Sequence, residues 1–218
     1  MDIYNHYRYC SDVNNIIDNI NDMLLPPTMY PACHGKNHAL FVVDKTDYIL
    51  KSLSYDPRIV ELGKIAALLH DIGNIAGRWN HALKSAALTT VLMEYPVHLL
   101  PDEKAMIIQA VKDHSNGDNI ASAIGAALLI ADKIDITKKR ILPDKILDAW
   151  HKNLLEIDDV DICVSDKSIT INYITTELFS KELLVSEYAK GFNLPIKAAK
   201  YLGCDCHFQF NGIEADLV

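Results

Sequence analysis

The stretch from Ile65 to Gly73 reads Ile-Ala-Ala-Leu-Leu-His-Asp-Ile-Gly and places His70 and Asp71 side by side in an apolar run. Its periodicity predicts a helix that is being buried, and Gly73 is typical of a helix end. An imidazole and a carboxylate in such a place need partners, because burying an unpaired charge is costly. A divalent cation would satisfy both side chains together, so this stretch predicts a metal site.

Helical periodicity continues on both sides of this stretch over the first 150 residues. It predicts six helices, at about 12–25, 37–53, 56–70, 80–93, 102–114 and 118–138. Pro26 and Pro27 would end the first helix, and Asp56 with Pro57 is a typical helix start.

The pattern changes after Asp158. Short β-prone runs at 160–164 and 168–174 predict a hairpin, helices at 176–190 and 195–202 follow, and 206–210 has the pattern of a strand. We therefore predict a mainly α protein, with a helical domain over residues 1–155 and a small α+β appendage over residues 156–218.

Composition narrows the class of protein. The chain has 218 residues, half of them hydrophobic, and a formal net charge of -8, which argues against a dedicated nucleic-acid surface but not against an enzyme that acts on nucleotides. The longest apolar stretch, 120–131, is too short to cross a membrane. Five scattered cysteines and a polar N-terminal segment predict reduced thiols in a cytoplasmic protein. The sequence does not determine whether the protein forms a homo-oligomer.

Six residues of metal-binding types fall on five predicted helices or at their ends, and only His70 and Asp71 share one: His38, His70, Asp71, His81, His114 and Asp132. A helical bundle can bring such residues to one centre. Imidazole and carboxylate ligands without thiolate suit iron, manganese, cobalt, zinc, nickel or magnesium. Six ligands exceed one tetrahedral site, so we predict one or two divalent ions, with Asp71 as the bridge between two.

This ordered set resembles the HD-domain superfamily of metal-dependent phosphohydrolases, over about residues 30–140. The segment Asn37-His38-Ala-Leu-Phe-Val-Val43 resembles the helix of the first histidine, Leu68 to Gly73 resembles the HDIG core, and Ala131-Asp132-Lys133 resembles the last ligand helix. His81 followed by Ser85-Ala86, and His114 followed by Asn116-Gly117, are similar to the two further histidines of dinuclear members. The resemblance implies an HD-domain helical bundle for the body of the protein.

It also implies an enzyme that cleaves a phosphate ester of a nucleotide or another small molecule through a metal-activated hydroxide. His38, His70, Asp71 and Asp132 would hold one ion, and Asp71, His81 and His114 the second. Lys133 would hold a substrate phosphate. Many family members have lysine where this chain has Asn74, which would bind the phosphate through a hydrogen bond without a charge, and Arg78 or Lys84 would supply the missing cation.

Several alternatives stay open from the sequence. His34 lies four residues before His38, would share its helix face and could be the ligand in its place, although we prefer His38 because it directly precedes the apolar run. Asp135 is a candidate general acid, a support for a ligand, or a solvated carboxylate. The run at 138–140 fits a solvated helix end better than a phosphate site. The same ligand set would also suit a di-iron oxygenase or a non-catalytic module that senses metal or nucleotide.

Overall fold

Helix formation in the first part of the chain follows the apolar periodicity. The structure is a computed structural model that describes residues 3–23, 32–94, 98–117, 119–142 and 148–217. Seven helices come first in these ranges: α1 (Ile3–Arg8), α2 (Ser11–Met23), α3 (Lys36–Ser52), α4 (Pro57–Leu69), α5 (His81–Leu92), α6 (Pro101–Asp113) and α7 (Ala123–Lys133). Two 3-10 turns, Ile72–Ala76 and Lys138–Arg140, follow α4 and α7.

Capping side chains decide where two of these helices begin. Asp56 accepts a hydrogen bond from Arg58 N at 2.7 Å, and the helix starts at Pro57 as predicted. Ser122 accepts one from Gly125 N at 3.2 Å, so α7 begins at residue 123. The helix predicted at 118–138 is therefore too long at both ends. The predicted stop at 26–27 and residue 118 itself lie outside the described residues.

The C-terminal part combines two helices with a small sheet. It contains α8 (Ala149–Leu154), β1 (Ile157–Val164), β2 (Ser168–Thr175), α9 (Lys181–Tyr201), β3 (Asp205–Phe210) and β4 (Ile213–Ala215). The sheet order is β1-β2-β3-β4; β2 and β3 are parallel, and the other two pairs are antiparallel. The predicted hairpin and the strand at 206–210 are confirmed, whereas β4 was not predicted.

One helix replaces the two that were predicted at 176–190 and 195–202. Pro195 lies inside α9 and removes one backbone donor, which normally ends a helix. Here Phe192, Pro195, Ala198 and Ala199 are all buried on one face, so packing keeps the helix continuous. The predicted break was therefore wrong because tertiary burial overrides the local signal.

The C-terminal part packs directly on the helix that ends the ligand series. Leu184 and Phe192 of α9 belong to the same hydrophobic cluster as Leu128 and Ile130 of α7. Tyr188 Oη also donates to the backbone oxygen of Lys133 at 3.0 Å. The fold class, mainly α with a small α+β C-terminal part, is thus confirmed, while the domain boundary at residues 155–156 stays a prediction. Within the described ranges, no helix combines the length and apolar character that crossing a membrane requires.

Candidate metal centre

The six predicted ligands converge although they come from separate segments of the chain. His38 lies in the first turn of α3, His70 and Asp71 follow α4, His81 begins α5, His114 follows α6 and Asp132 lies in the last turn of α7. Their side chains form two groups that share Asp71.

The first group contains His38, His70, Asp71 and Asp132. His38 Nε2 lies 3.1 Å from His70 Nε2, 3.6 Å from Asp71 Oδ2 and 3.3 Å from Asp132 Oδ1. His70 Nε2 lies 3.4 Å from Asp71 Oδ2 and 3.8 Å from Asp132 Oδ1. Ligands about 2.1 Å from one cation would lie about 3.0–3.4 Å apart, so the observed spacing fits a metal site after small adjustments.

The second group contains His81, His114 and the other oxygen of Asp71. His81 Nε2 lies 3.2 Å from His114 Nε2, and each of these nitrogens lies 3.5 Å from Asp71 Oδ1. Asp71 Oδ1 is buried and has no hydrogen-bond partner, which is costly for a carboxylate oxygen. A cation held by the three atoms would satisfy it, and Asp71 would then bridge two ions.

Hydrogen bonds at Nδ1 turn the histidines so that Nε2 faces the centre. His38 Nδ1 donates to Asp135 Oδ2 at 2.7 Å, His70 Nδ1 to the backbone oxygen of Ala67 at 2.7 Å, and His114 Nδ1 to that of Val111 at 2.6 Å. In the neutral rings Nε2 therefore carries a lone pair. Two lone pairs that face each other at 3.1 Å repel unless a proton or a cation lies between them. This pattern of supported imidazoles is the usual one at metal sites.

Electrostatics favours the protonation states that bind metal. Burial would raise the pKa of Asp71, but the charges of His70 and His34 and the hydrogen bonds from His114 and His34 together hold that pKa well below the usual range. Burial would also raise the pKa of Asp132, but the charge of Lys133, together with the hydrogen bond from His38 and the charges of His70 and His38, holds it well below the usual range. Burial lowers the pKa of His81 to about 3. Burial would lower the pKa of His70, but the charges of Asp71 and Asp132 and the hydrogen bonds to Asp71 and to the backbone of Ala67 together raise it. A cation requires ionised carboxylates and neutral imidazoles, so the pKa shifts of Asp71, Asp132 and His81 favour metal binding, and the bound proton of His70 would have to leave.

Gly73 allows the two groups to approach each other. A Cβ at this position would lie 2.3 Å from Ser85 N, 2.4 Å from His81 O and 2.8 Å from Lys84 C. Gly73 N donates to Ser85 Oγ at 2.9 Å, which ties the turn after α4 to the first turn of α5. The absence of a side chain at Gly73 therefore lets Asp71 and His81 reach the same point.

Arg78 is the predicted substitute cation that lies at the centre. Its Nη1 lies 3.7 Å from Asp71 Oδ1 and donates to Asn74 Oδ1 at 3.2 Å. Asn74 is fully buried, and its Nδ2 donates to Asp71 O at 3.1 Å. Asn74, predicted to bind phosphate, thus orients Arg78 and the turn instead of facing a cavity.

The two predicted lysines differ in position. Lys133 Nζ donates to Asp132 Oδ2 at 2.6 Å and lines a cavity beside the centre. Lys84 Nζ donates to the backbone oxygens of Ala76 and Gly77 at 2.7 and 3.2 Å. Lys84 therefore stabilises the turn at residues 76–77. Its contacts do not support the predicted role in binding phosphate.

Asp135, predicted as a catalytic residue, supports a ligand. It is buried and accepts the hydrogen bond from His38, and Arg140 Nη1 lies 3.5 Å from the same Oδ2. Arg140 Nη1 also donates to the backbone oxygen of Asp135 at 3.0 Å. Of the three roles left open for Asp135, these contacts support the orientation of His38. The prediction of a solvated carboxylate is wrong, because Asp135 is buried.

Two residues outside the six predicted ligands lie beside the centre, Arg140 and His34, and His34 was an open alternative to His38. The basic run at 138–140 was predicted to be solvated, but Arg140 is buried. Lys138 and Lys139 point outward and bind Asp158 and Asp159.

His34 is also buried, and its Nδ1 donates to Asp71 Oδ2 at 2.8 Å. Its spacing of four residues from His38 was the available signal. The structure brings both histidines to the centre, where His38 lies against His70 and His34 lies against Asp71, and the three side chains of His34, His38 and Asp71 are close enough to hold a metal ion.

Two cavities border the centre. The first has a volume of about 340 Å³ and is lined by Asp132, three cations (Arg78, Lys133, Arg140) and two aromatic residues (Trp150, Tyr188), among others. The second, of about 490 Å³, is lined by Arg78, Trp79, His81 and Lys112, among others. Trp150 and Tyr188 carried no sequence signal, since α8 and α9 lie far along the chain from the ligands.

Comparisons with known proteins give distant relatives. No protein-family model matches the chain. It is 30% identical to Uncharacterized protein MJ1020 of Methanocaldococcus jannaschii, in a match that covers 65% of this chain and 64% of that protein. The chain thus spans less than two thirds of that relative's length. It is also similar to a crystal structure described as a predicted HD superfamily hydrolase from an uncultured Thermotogales bacterium, with 20% identity and a TM-score of 0.46, over 63% of this chain and 75% of that one.

Proposed function

We propose that this protein is a metal-dependent phosphohydrolase of the HD type, which cleaves a phosphate ester of a nucleotide or another small molecule. The main support for the proposal is the carboxylate of Asp71, which belongs to both groups of candidate ligands. Asp71 directs Oδ2 to one group of nitrogen and oxygen ligands and Oδ1 to a second. A pair of divalent cations in such an arrangement supplies Lewis acidity to a phosphoryl oxygen and to the attacking water.

The residues around the centre suit an anionic substrate. Three cations line the first cavity, Arg78, Lys133 and Arg140, and they balance the carboxylates of Asp71, Asp132 and Asp135. Two bound divalent ions would leave this region with a charge of about +4, which attracts a phosphate dianion. Arg78 would contact the phosphoryl group beside Asp71, and Lys133 would contact it beside Asp132.

The ligand count favours an enzyme over a closed sensing site. The first group offers four ligand atoms and the second three, and a six-coordinate cation would keep positions for water and substrate. The first cavity reaches Asp132, so a substrate has access to the first group. A non-catalytic module would be better served by ligands that fill every position.

The test combines metal content with product analysis. Purified protein is loaded with manganese, iron, cobalt, zinc, nickel or magnesium, and phosphate esters are assayed for hydrolysis. We expect two cations per chain in the native protein, and loss of both metal binding and hydrolysis in Asp71→Ala. Asp161→Ala, which alters an exposed carboxylate on β1, is the matched control.

Hydrolysis that survives in Asp71→Ala would overturn the proposal. Oxygen consumption by the iron-loaded protein, without hydrolysis of any ester, would assign the centre to oxygenase chemistry instead.

A further inference from the structure

The two cavities each border one half of the metal centre. The first is lined by Asp132, a member of the first ligand group, and the second by His81, a member of the second group. Arg78 lines both, and its Nη1 lies 3.7 Å from the bridging carboxylate of Asp71. A substrate whose phosphoryl group contacts Arg78 would therefore have space to extend into both cavities.

Each cavity contains one of the two tryptophans of the chain. Trp150 lines the first cavity, and its ring is stacked on Tyr188 with centroids 5.7 Å apart and an interplanar angle of 20°. Tyr188 is in turn held by its hydrogen bond to Lys133 O and by Gly191, where a Cβ would lie 2.2 Å from the Tyr188 ring. The first cavity thus presents a fixed aromatic wall beside its cations.

Trp79 marks the second cavity. It is 83% exposed and lies between Arg78 and Asn80, two residues before the candidate ligand His81. Asn80 has a φ of 53°, in the left-handed region, and its polar side chain tolerates that conformation where most residues do not. The backbone turn therefore presents a large aromatic surface to solvent next to a ligand, where folding gains little from it. Lys112 adds a positive charge to the same cavity.

We propose that the substrate is a phosphodiester that joins two ring-bearing groups, such as two nucleosides, with one ring in each cavity. This inference rests on the proposed function and specifies its substrate class. Trp150 and Trp79 stack on the two rings, and Arg78 contacts the phosphate between them. Hydrolysis forms one P–O bond from water and breaks the P–O bond to one arm. That arm leaves as an alcohol with a proton of the water, and the other arm keeps the phosphate as a monoester.

Binding is tested without any reading of activity. The indole N–H groups of Trp79 and Trp150 give two signals in a nitrogen-15 NMR spectrum, which Trp79→Phe and Trp150→Phe assign. Zinc-loaded protein is titrated with bis(p-nitrophenyl) phosphate, a diester with two planar rings. We expect both signals to move along one binding curve with a stoichiometry of one. A diester that saturates the protein while either signal stays in place overturns the inference.

Hydrolysis provides the second test. Stacking of a nucleobase on an aromatic side chain contributes about 1–3 kcal/mol, which corresponds to about 5- to 150-fold in binding. We expect Trp79→Ala to lower kcat/KM for bis(p-nitrophenyl) phosphate at least about fivefold, and for p-nitrophenyl phosphate less than about twofold. Trp79→Phe should restore most of the loss. Leu178→Ala, which removes an equally exposed apolar side chain elsewhere, is the control.

The two proposals fail in different ways. If neither ester is hydrolysed with any of the cations, the proposed function fails. If hydrolysis occurs and Trp79→Ala affects both esters equally or neither, only the assignment of a two-armed substrate is overturned.

Discussion

Replacing Gly73 by alanine should separate the two halves of the metal centre. The new Cβ would lie 2.3 Å from Ser85 N and 2.4 Å from His81 O, and both are backbone atoms that cannot rotate away. An ordinary contact begins at 3.4 Å, so the first turn of α5 would have to move by about 1 Å. His81 begins that turn, whereas no residue of the first ligand group lies on α5.

The expected result is a protein that keeps one cation and binds the second poorly. Overpacking of this kind costs about 1–3 kcal/mol, so the free energy of unfolding should fall by that amount. Metal content is measured by mass spectrometry after dialysis, and stability is measured by urea denaturation of the metal-free protein. Cations per chain should change from two to one.

Gly125→Ala is the matched control. Its Cβ would lie 3.5 Å from Ser122 Oγ, at the cap of α7, and 3.8 Å from Ala110 of α6, and both are ordinary contacts. Alanine is favoured over glycine in a helix, so this variant should be as stable as the native protein or up to about 1 kcal/mol more stable. Native stability and two cations in Gly73→Ala would refute the reasoning.

Two further predictions concern the support and the protonation of the ligands. Asp135→Asn removes the charge that orients His38 and should weaken binding of the first cation about 10- to 100-fold in a competition titration, whereas unchanged affinity would contradict this role. Burial lowers the pKa of His81 from 6.5 to about 3, so between these values the unfolded chain binds a proton that the folded metal-free protein does not. His81 therefore lowers the free energy of unfolding as the pH falls from about 6.5 to 3. In His81→Asn, the free energy of unfolding measured by urea denaturation should fall less steeply over this pH range than in the native protein. Equal dependence on pH in the two proteins would argue against this role of His81.

Much of the helical body could be predicted because its signals are local. Apolar periodicity located the helix from Pro57 to Leu69, and the Asp56 cap located its start. The continuous helix α9 was missed because Pro195 is a local signal for a break, while the burial that overrides it comes from α7.

The same limit applies to the site. Lys138, Lys139 and Arg140 are equivalent as a basic run, yet packing places Arg140 on Asp135 and turns the two lysines toward β1. Nothing in the local sequence distinguishes them, because the difference arises from where β1 and the 3-10 turn meet. Tyr188 joined the first cavity for a similar reason: α9 folds back onto the end of α7.

The sequence by itself determined the types of the candidate ligands, their order and their placement at helix ends, since periodicity and capping are encoded within a few residues. It also pointed to Asp71 as the bridge, because six ligands exceed one tetrahedral site. Only the tertiary structure decided which oxygen of Asp71 meets which group, that Asp135 orients His38, and that two cavities flank Arg78. These features depend on the relative positions of distant helices, and those positions are set by packing across the whole core.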